Sequence, residues 1–211
     1  MNLTGTNKIT ATTSLKTCFE LLPLNILRQK LEVTLIVTLN QPGRKIYEFA
    51  VKESANYPVY VDIRGPTSNC NLVMIGEQVT HVYCKDIPGF EDTVKELNRI
   101  LSSRDLFEAR VYKIELYLSL TEPEPLVRLV HALYLSTIMC KFEESIFFIR
   151  ELEKRLQEEL TSKALFKKDQ SCAGNLRREF RELKKKFEKM QLAEFLDQLQ
   201  AFAKIYASCK A

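Results

Sequence analysis

Residues 175–190 read NLRREFRELKKKFEKM. Leu176, Phe180, Leu183, Phe187 and Met190 recur at alternating spacings of four and three, the seam of a helix with a heptad repeat. The positions between them are mostly Arg and Lys. Such a helix must lay its apolar stripe on another helix, in this chain or in a partner. At 100° per residue, Arg177, Arg178, Arg181, Lys184, Lys185 and Lys189 fall on a broad arc away from the seam. Downstream, Phe195, Leu196, Leu199, Phe202, Ile205 and Tyr206 crowd what reads as the same helix, expected over about 175–207. The apolar phase shifts between Met190 and Phe195, which allows a bend or a short break near Gln191.

Moving upstream, a polar stretch from Lys167 to Asn175, with Gly174 near its end, reads as a turn. Phe142, Ile146, Ile149, Leu152, Leu156 and Leu160 give a helix over 142–166 with a charged far side. Phe147 and Phe148 adjoin its seam. Leu126 to Cys140 is apolar nearly all round and reads as a buried helix over about 124–140. Thr121-Glu122-Pro123-Glu124-Pro125 supplies its start, with capping-box spacing and prolines where helical amides are unpaired in any case. Ala132-Leu133-Tyr134 followed by Cys140-Lys141-Phe142-Glu143-Glu144-Ser145-Ile146 resembles the join between the two helices of a tetratricopeptide unit, with Cys140 where Gly is usual and Ser145 where Ala is usual. The resemblance covers one unit and implies a turn near Cys140-Lys141. An array needs several copies, and no second copy is visible.

The first 120 residues have a different grammar. Leu31, Val33, Leu35, Val37 and Leu39 alternate with Glu32, Thr34, Ile36 and Thr38, a half-buried strand. Asn40-Gln41-Pro42-Gly43 reads as a type II turn into a second strand through Tyr47, Phe49 and Val51. Val59, Val61 and Ile63 form a third. Leu72–Ile75 and Val79–Cys84 flank a tight turn at Gly76-Glu77. Phe90, Val94, Leu97 and Leu101 share a helical face, and residues 112–120 alternate as a sixth strand, with a helix the alternative because Val111, Ile114 and Leu118 also share a helical face. Leu15 to Lys30 is helical but interrupted by Pro23. Residues 1–14 are rich in Thr, Asn and Ser and read as a flexible tail. The expected fold is therefore α+β: a mostly antiparallel sheet of about six strands with one or two helices over residues 15–120, then a helical hairpin or bundle over 121–211.

The 211 residues are 45% hydrophobic and 27% charged, enough to bury a core without metals or crosslinks. Net charge is +4, and the excess lies mainly in the last 91 residues, with 17 basic against 14 acidic side chains. The longest apolar run, Leu126–Cys140, contains Arg128 and His131 and is shorter than the roughly 20 residues that cross a bilayer. Cys18, Cys70, Cys84, Cys140, Cys172 and Cys209 show no metal-ligand spacing. Nothing at the N-terminus reads as a secretion signal. These two observations predict reduced thiols in cytoplasm or nucleus.

No residue pattern points to catalysis, a cofactor or a metal. His81 lies on a strand face with Val79 and Tyr83, and His131 on the apolar helix; both read as packed residues. Asp62 and Asp86 have no spacing that makes them an acid–base pair, and no glycine-rich loop leads into a helix. The function expected from the sequence is a non-enzymatic adaptor or structural subunit of an intracellular complex. Protein partners would form a hetero-complex or dimer through Phe195, Leu199, Phe202 and Tyr206. The alternative is a nucleic-acid-associated protein that uses the basic arc, although that arc carries no aromatic for stacking.

Overall fold

The computed structural model describes residues 8–115, 125–161 and 170–210. The chain divides into two units, Met1–Glu115 and Leu116–Ala211. The first is α+β, with the order α1 (Thr13–Leu21), α2 (Leu24–Lys30), β1 (Glu32–Pro42), α3 (Gly43–Ser54), β2 (Val59–Arg64), β3 (Asn69–Ile75), β4 (Gln78–Cys84), α4 (Phe90–Ser102), β5 (Leu106–Glu115). The second contains α5 (Pro125–Ile138), α6 (Phe142–Thr161), α7 (Gln170–Glu188) and α8 (Leu192–Lys210).

The sheet has five strands in the order β1-β5-β2-β3-β4, every pair antiparallel. Val59, Val61 and Ile63 of β2 alternate onto one face, together with Leu72 and Met74 of β3 and Ala109 and Val111 of β5. Leu15 of α1, Ile46 and Ala50 of α3, and Val94, Leu97, Ile100 and Leu101 of α4 close a core over that face. On the other face, Arg28 of α2 lies over the Tyr60 ring, 5.1 Å from its centroid. The Tyr60 hydroxyl donates to the Asn71 side-chain oxygen at 3.0 Å, and the Asn71 amide donates to Asp62 at 3.0 Å. Burial first, then the nearby Asp62 carboxylate, pushes the Tyr60 hydroxyl up to about 12.

Several sequence expectations are corrected here. The strand expected through Tyr47, Phe49 and Val51 is helix α3. Its buried residues, Ile46, Ala50 and Ser54, follow a spacing of four, which the isolated alternation of Tyr47, Phe49 and Val51 concealed. Pro42 caps that helix, and Gly43 serves a close approach rather than a turn: a Cβ there would stand 1.9 Å from the Ile100 carbonyl oxygen. The strand read at 112–120 is the end of β5, which begins at Leu106; residues 116–120 lie outside the described residues.

The alternation in β1 breaks at a register shift between Leu35 and Val37. The extra residue flips the phase of an edge strand, so Leu35 and Ile36 are exposed while Val37 and Leu39 pack on the core. The tail read over residues 1–14 is held from Ile9 onward. Asn98 of α4 accepts from the Ile9 amide at 2.7 Å and donates to its carbonyl at 2.9 Å. The tight turn stands where the sequence put it, with Gly76 at φ 54° and Glu77 at φ 67°, both positive as a type I′ hairpin requires.

The expectation of reduced thiols is also corrected. Cys70 and Cys84, directly opposite on β3 and β4, are disulfide-bonded with Cα atoms 4.1 Å apart. Cys172 and Cys209 are bonded across 37 residues and join the first turn of α7 to the last turn of α8.

In the helical unit, the single helix read over 175–207 is two helices. The chain turns back at Met190, whose φ of 54° lies in the left-handed region. Gln191 N–H donates to the Lys186 carbonyl (3.0 Å) and Met190 N–H to that of Phe187 (2.9 Å), a Schellman end. The α5–α6 turn repeats this geometry fifty positions earlier. Cys140 has φ 52°, Lys141 N–H donates to Ser136 O (2.9 Å), and Cys140 N–H donates to Thr137 O (3.0 Å). This is the turn that the tetratricopeptide resemblance implied.

The position of Ser145 now has a reason. It is fully buried, and its hydroxyl meets that of Ser136 at 2.8 Å, where small side chains let α5 and α6 approach. Of the polar turn read at 167–175, residues 170–175 are helical, because α7 starts at Gln170 and Gly174 lies within it. Residues 121–124, which hold the proposed capping box, and 162–169 lie outside the described residues.

Candidate functional site

The heptad seam of α7 packs as the sequence predicts, and its partner is in the same chain. Leu176, Phe180, Leu183 and Phe187 are buried. Phe187 meets Phe195 of α8 edge-on at 5.1 Å, and Phe180 meets Phe202 at 6.1 Å. Met190 is 40% exposed because the helix has ended there. These contacts consume the surface expected to receive a partner. Phe195, Leu199 and Phe202 have no exposed surface, and Tyr206 is buried with its hydroxyl donating to Glu159 of α6 at 2.8 Å. The reading of these four residues as accessible partner anchors is therefore corrected: they form the interior of the helical unit.

The basic arc divides into two sets. Arg178 and Lys185 are exposed and neutralised along α7 itself, by Glu179 at 3.2 Å and Glu182 at 2.8 Å. Lys185 holds the Glu182 carboxyl below its usual value. Lys189 is exposed at the end of the helix. Arg177, Arg181 and Lys184 instead line a groove of about 540 Å³ between α6 and α7. On α7 the lining runs Arg177, Phe180, Arg181, Lys184, and on α6 Glu153, Leu156, Gln157, Leu160, Thr161. Each set has the spacing of one helical face, and together they extend about 12 Å at 1.5 Å per residue. Leu156 and Phe180 are buried floor, with Leu160 half-buried beside them.

Charge in the groove is uneven. Lys184 is matched by Glu153 across the helices, its Nζ 3.1 Å from the nearer carboxylate oxygen. Toward the other end the polar residues of α6 that line the groove are the neutral Gln157 and Thr161, while Glu158 pairs with Arg155 and Glu159 accepts from Tyr206. Arg177 and Arg181, both exposed, form no ion pair among the described residues. Glu182 feels Arg181 only weakly, after Lys185 and Lys186. The sequence showed these cations as part of a solvated arc. It could not show the groove, because that depends on which face of α6 lies opposite. On the outer side of α6, Ile146 and Phe147 are 42% and 57% exposed, with the Phe147 ring edge-on to Phe148 at 5.5 Å. The seam that the sequence drew through Ile146 runs instead through Ser145, Ile149, Leu152 and Leu156.

The first unit holds a second concavity, about 740 Å³, formed by the β2–β3 loop (Gly65 to Asn69), Lys85 to Ile87, and Glu96 and Arg99 of α4. Its Glu96 and Arg99 charges are satisfied by each other. Arg99 donates to Glu96, Ser68 donates to the same carboxylate, and Glu96 is lowered to about 2, chiefly by Arg99. Asp86 lies on its rim, while Asp62 is held by Arg64 at 3.1 Å. His81 is fully buried, its Nδ1 3.2 Å from the Thr80 hydroxyl and its Nε2 without a hydrogen-bond partner. Burial alone lowers its pKa to about 3, so its ring is neutral. His131 is half-buried and is also lowered by desolvation. Among the described residues the one hydroxyl–carboxylate bond in either concavity, Ser68 to Glu96, ends on a carboxylate already held by Arg99. No described helix is long and apolar enough to cross a membrane. Compared with models of protein families, with characterised proteins and with solved structures, the chain matches none.

Proposed function

We propose that this chain is a non-enzymatic adaptor or structural subunit of a multiprotein complex, which engages a protein partner through its C-terminal helical unit. The observation that carries this reading is the α6–α7 groove, an apolar floor flanked by two arginines with no ion pair among the described residues. Such a surface resembles interface anatomy, where Arg and aromatic residues are enriched and a desolvated centre is rimmed by charge. The partner surface differs from that expected at first, since Phe195, Leu199, Phe202 and Tyr206 are spent on the core. The nucleic-acid reading is weaker. Phe180 is covered by Phe202 and offers no stacking platform, and Arg178 and Lys185 are neutralised locally. With the cysteines bonded, an oxidising compartment accounts for them better than cytoplasm or nucleus, where thiols are kept reduced.

The test is affinity capture of the tagged full chain from native extract, followed by sizing of the complex. A protein recovered in fixed stoichiometry, and lost when Leu160→Asp is introduced into the groove, supports the proposal. A chain that migrates at its own mass in every native extract overturns it.

A further inference from the structure

Resting on the adaptor reading, we infer that the α6–α7 groove takes an acidic amphipathic helix of a partner protein, with apolar side chains on the floor and Asp or Glu carboxylates on Arg177 and Arg181. The floor is apolar, with Leu156 and Phe180 nearly covered and Leu160 half-exposed beside them, so an apolar side chain is its fitting counterpart. The lining carries three cations against the single carboxylate of Glu153, and that carboxylate is taken by Lys184. Among the described residues the uncompensated charge thus sits at the Arg177–Arg181 end.

Those arginines are one helical turn apart. A partner helix has the same pitch, so carboxylates at i and i+4 on its surface meet both guanidiniums in register. Each guanidinium accepts a planar carboxylate through two N–H donors. The groove length of about two turns suits a helix laid between two helices, with anchors at helical spacing. A third cation is already held by Glu153, which shows the lining pairing with a carboxylate of helical origin. Residues 162–169, the link between α6 and α7, carry Lys163, Lys167 and Lys168 against Asp169.

The experiment pans a displayed library of 16-residue helical peptides against the full chain. The expected result is enrichment of sequences with apolar residues at helical spacing and Asp or Glu one turn apart. The best peptide should bind at least tenfold more weakly to Arg177→Glu/Arg181→Glu, and its affinity should fall between low and moderate salt. Arg178→Gln, on the outer face, should leave binding unchanged. Enriched peptides that are neutral, lose binding with Leu160→Asp and ignore the double arginine change would overturn the acidic chemistry while leaving a docking groove. No enrichment of any peptide would overturn both this inference and the groove as a docking surface. A 20-nucleotide RNA or phosphatidylserine vesicles bound through Arg177 and Arg181 with no acidic peptide enriched would also overturn the inference, in favour of a phosphate ligand.

Discussion

Replacing Phe202 by Ala separates a core residue from an interface anchor. The ring is fully buried on α8, edge-on to Phe180. Emptying such a site costs the transfer free energy of the ring plus a cavity, about 3–5 kcal/mol. Phe195 lies seven residues earlier, roughly 10 Å along the axis, and pairs with a different ring, that of Phe187. Separated sites with different partners add. The double Phe195→Ala/Phe202→Ala variant should therefore lose roughly 6–10 kcal/mol, comparable with the whole stability of an ordinary domain. In urea, with a slope of about 2 kcal/mol/M, each single change should lower the unfolding midpoint by about 2 M, and the double variant should lack a folded helical unit in buffer. Far-UV circular dichroism against urea reads both. A loss under about 1 kcal/mol for Phe202→Ala, with the slope unchanged, would refute the packing described here. It would return the ring to the partner-anchoring role first read from the sequence.

Gly43→Ala should cost about 3 kcal/mol, because its Cβ meets the Ile100 carbonyl at 1.9 Å and backbone must move; a melting temperature equal to that of the parent would show that α3 and α4 are not so close. Met190→Gly should raise the melting temperature by about 2 °C by relieving a left-handed residue, whereas Met190→Ala should not; equal effects would place the turn elsewhere. His81 is neutral in the folded chain down to about pH 3, while an unfolded His protonates near 6.5. The unfolded state thus binds the extra proton, and stability, complete above pH 6.5, falls as pH drops from there toward 3, by up to about 1.4 kcal/mol per unit. Wild type should lose more stability than His81→Phe between pH 7 and 5, and parallel losses would mean that the ring is solvated. Cys172→Ser/Cys209→Ser should cost about 4 kcal/mol from the 37-residue loop, read by urea unfolding with and without reductant; insensitivity of the wild type to reductant would mean that the bond does not form.

The α+β class was legible, since period-two alternation in 59–63 and the four–three spacing at 176–187 survive into the structure, whereas the face read through Val79, His81 and Tyr83 is broken by a register shift that puts Val79 on the core side with Val82 and Cys84. The strand count was not. Tyr47, Phe49 and Val51 alternate within a helix whose inward residues are the smaller Ala50 and Ser54, so bulk misreported the face. In β1 the phase is reset by a bulge, which no composition signal marks. The cysteine state was misread for a related reason: Cys70 and Cys84 are fourteen apart in sequence and become neighbours only through the β3–β4 register.

In the helical unit the sequence allowed a break near Gln191, where the structure has one, but did not mark it as the turn of a second hairpin, and that has a physical cause. The two turns share left-handed residues at Cys140 and Met190 and the same pair of hydrogen bonds, yet neither residue is a glycine, the usual marker. What repeats at an interval of fifty is backbone geometry, not residue identity. The two hairpins also do not stack as an open array. Tyr206 of α8 bonds to Glu159 of α6, and Lys184 of α7 bonds to Glu153 of the same helix, so the second hairpin folds back against the first. That closure buries the aromatic face of α8 and leaves, between α6 and α7, a gap that Glu153 and Lys184 bridge at one end only. The arginines beyond the bridge were visible in the sequence as charge on a helix. They become a candidate site because the fold sets an apolar floor beside them and, among the described lining residues, no carboxylate opposite.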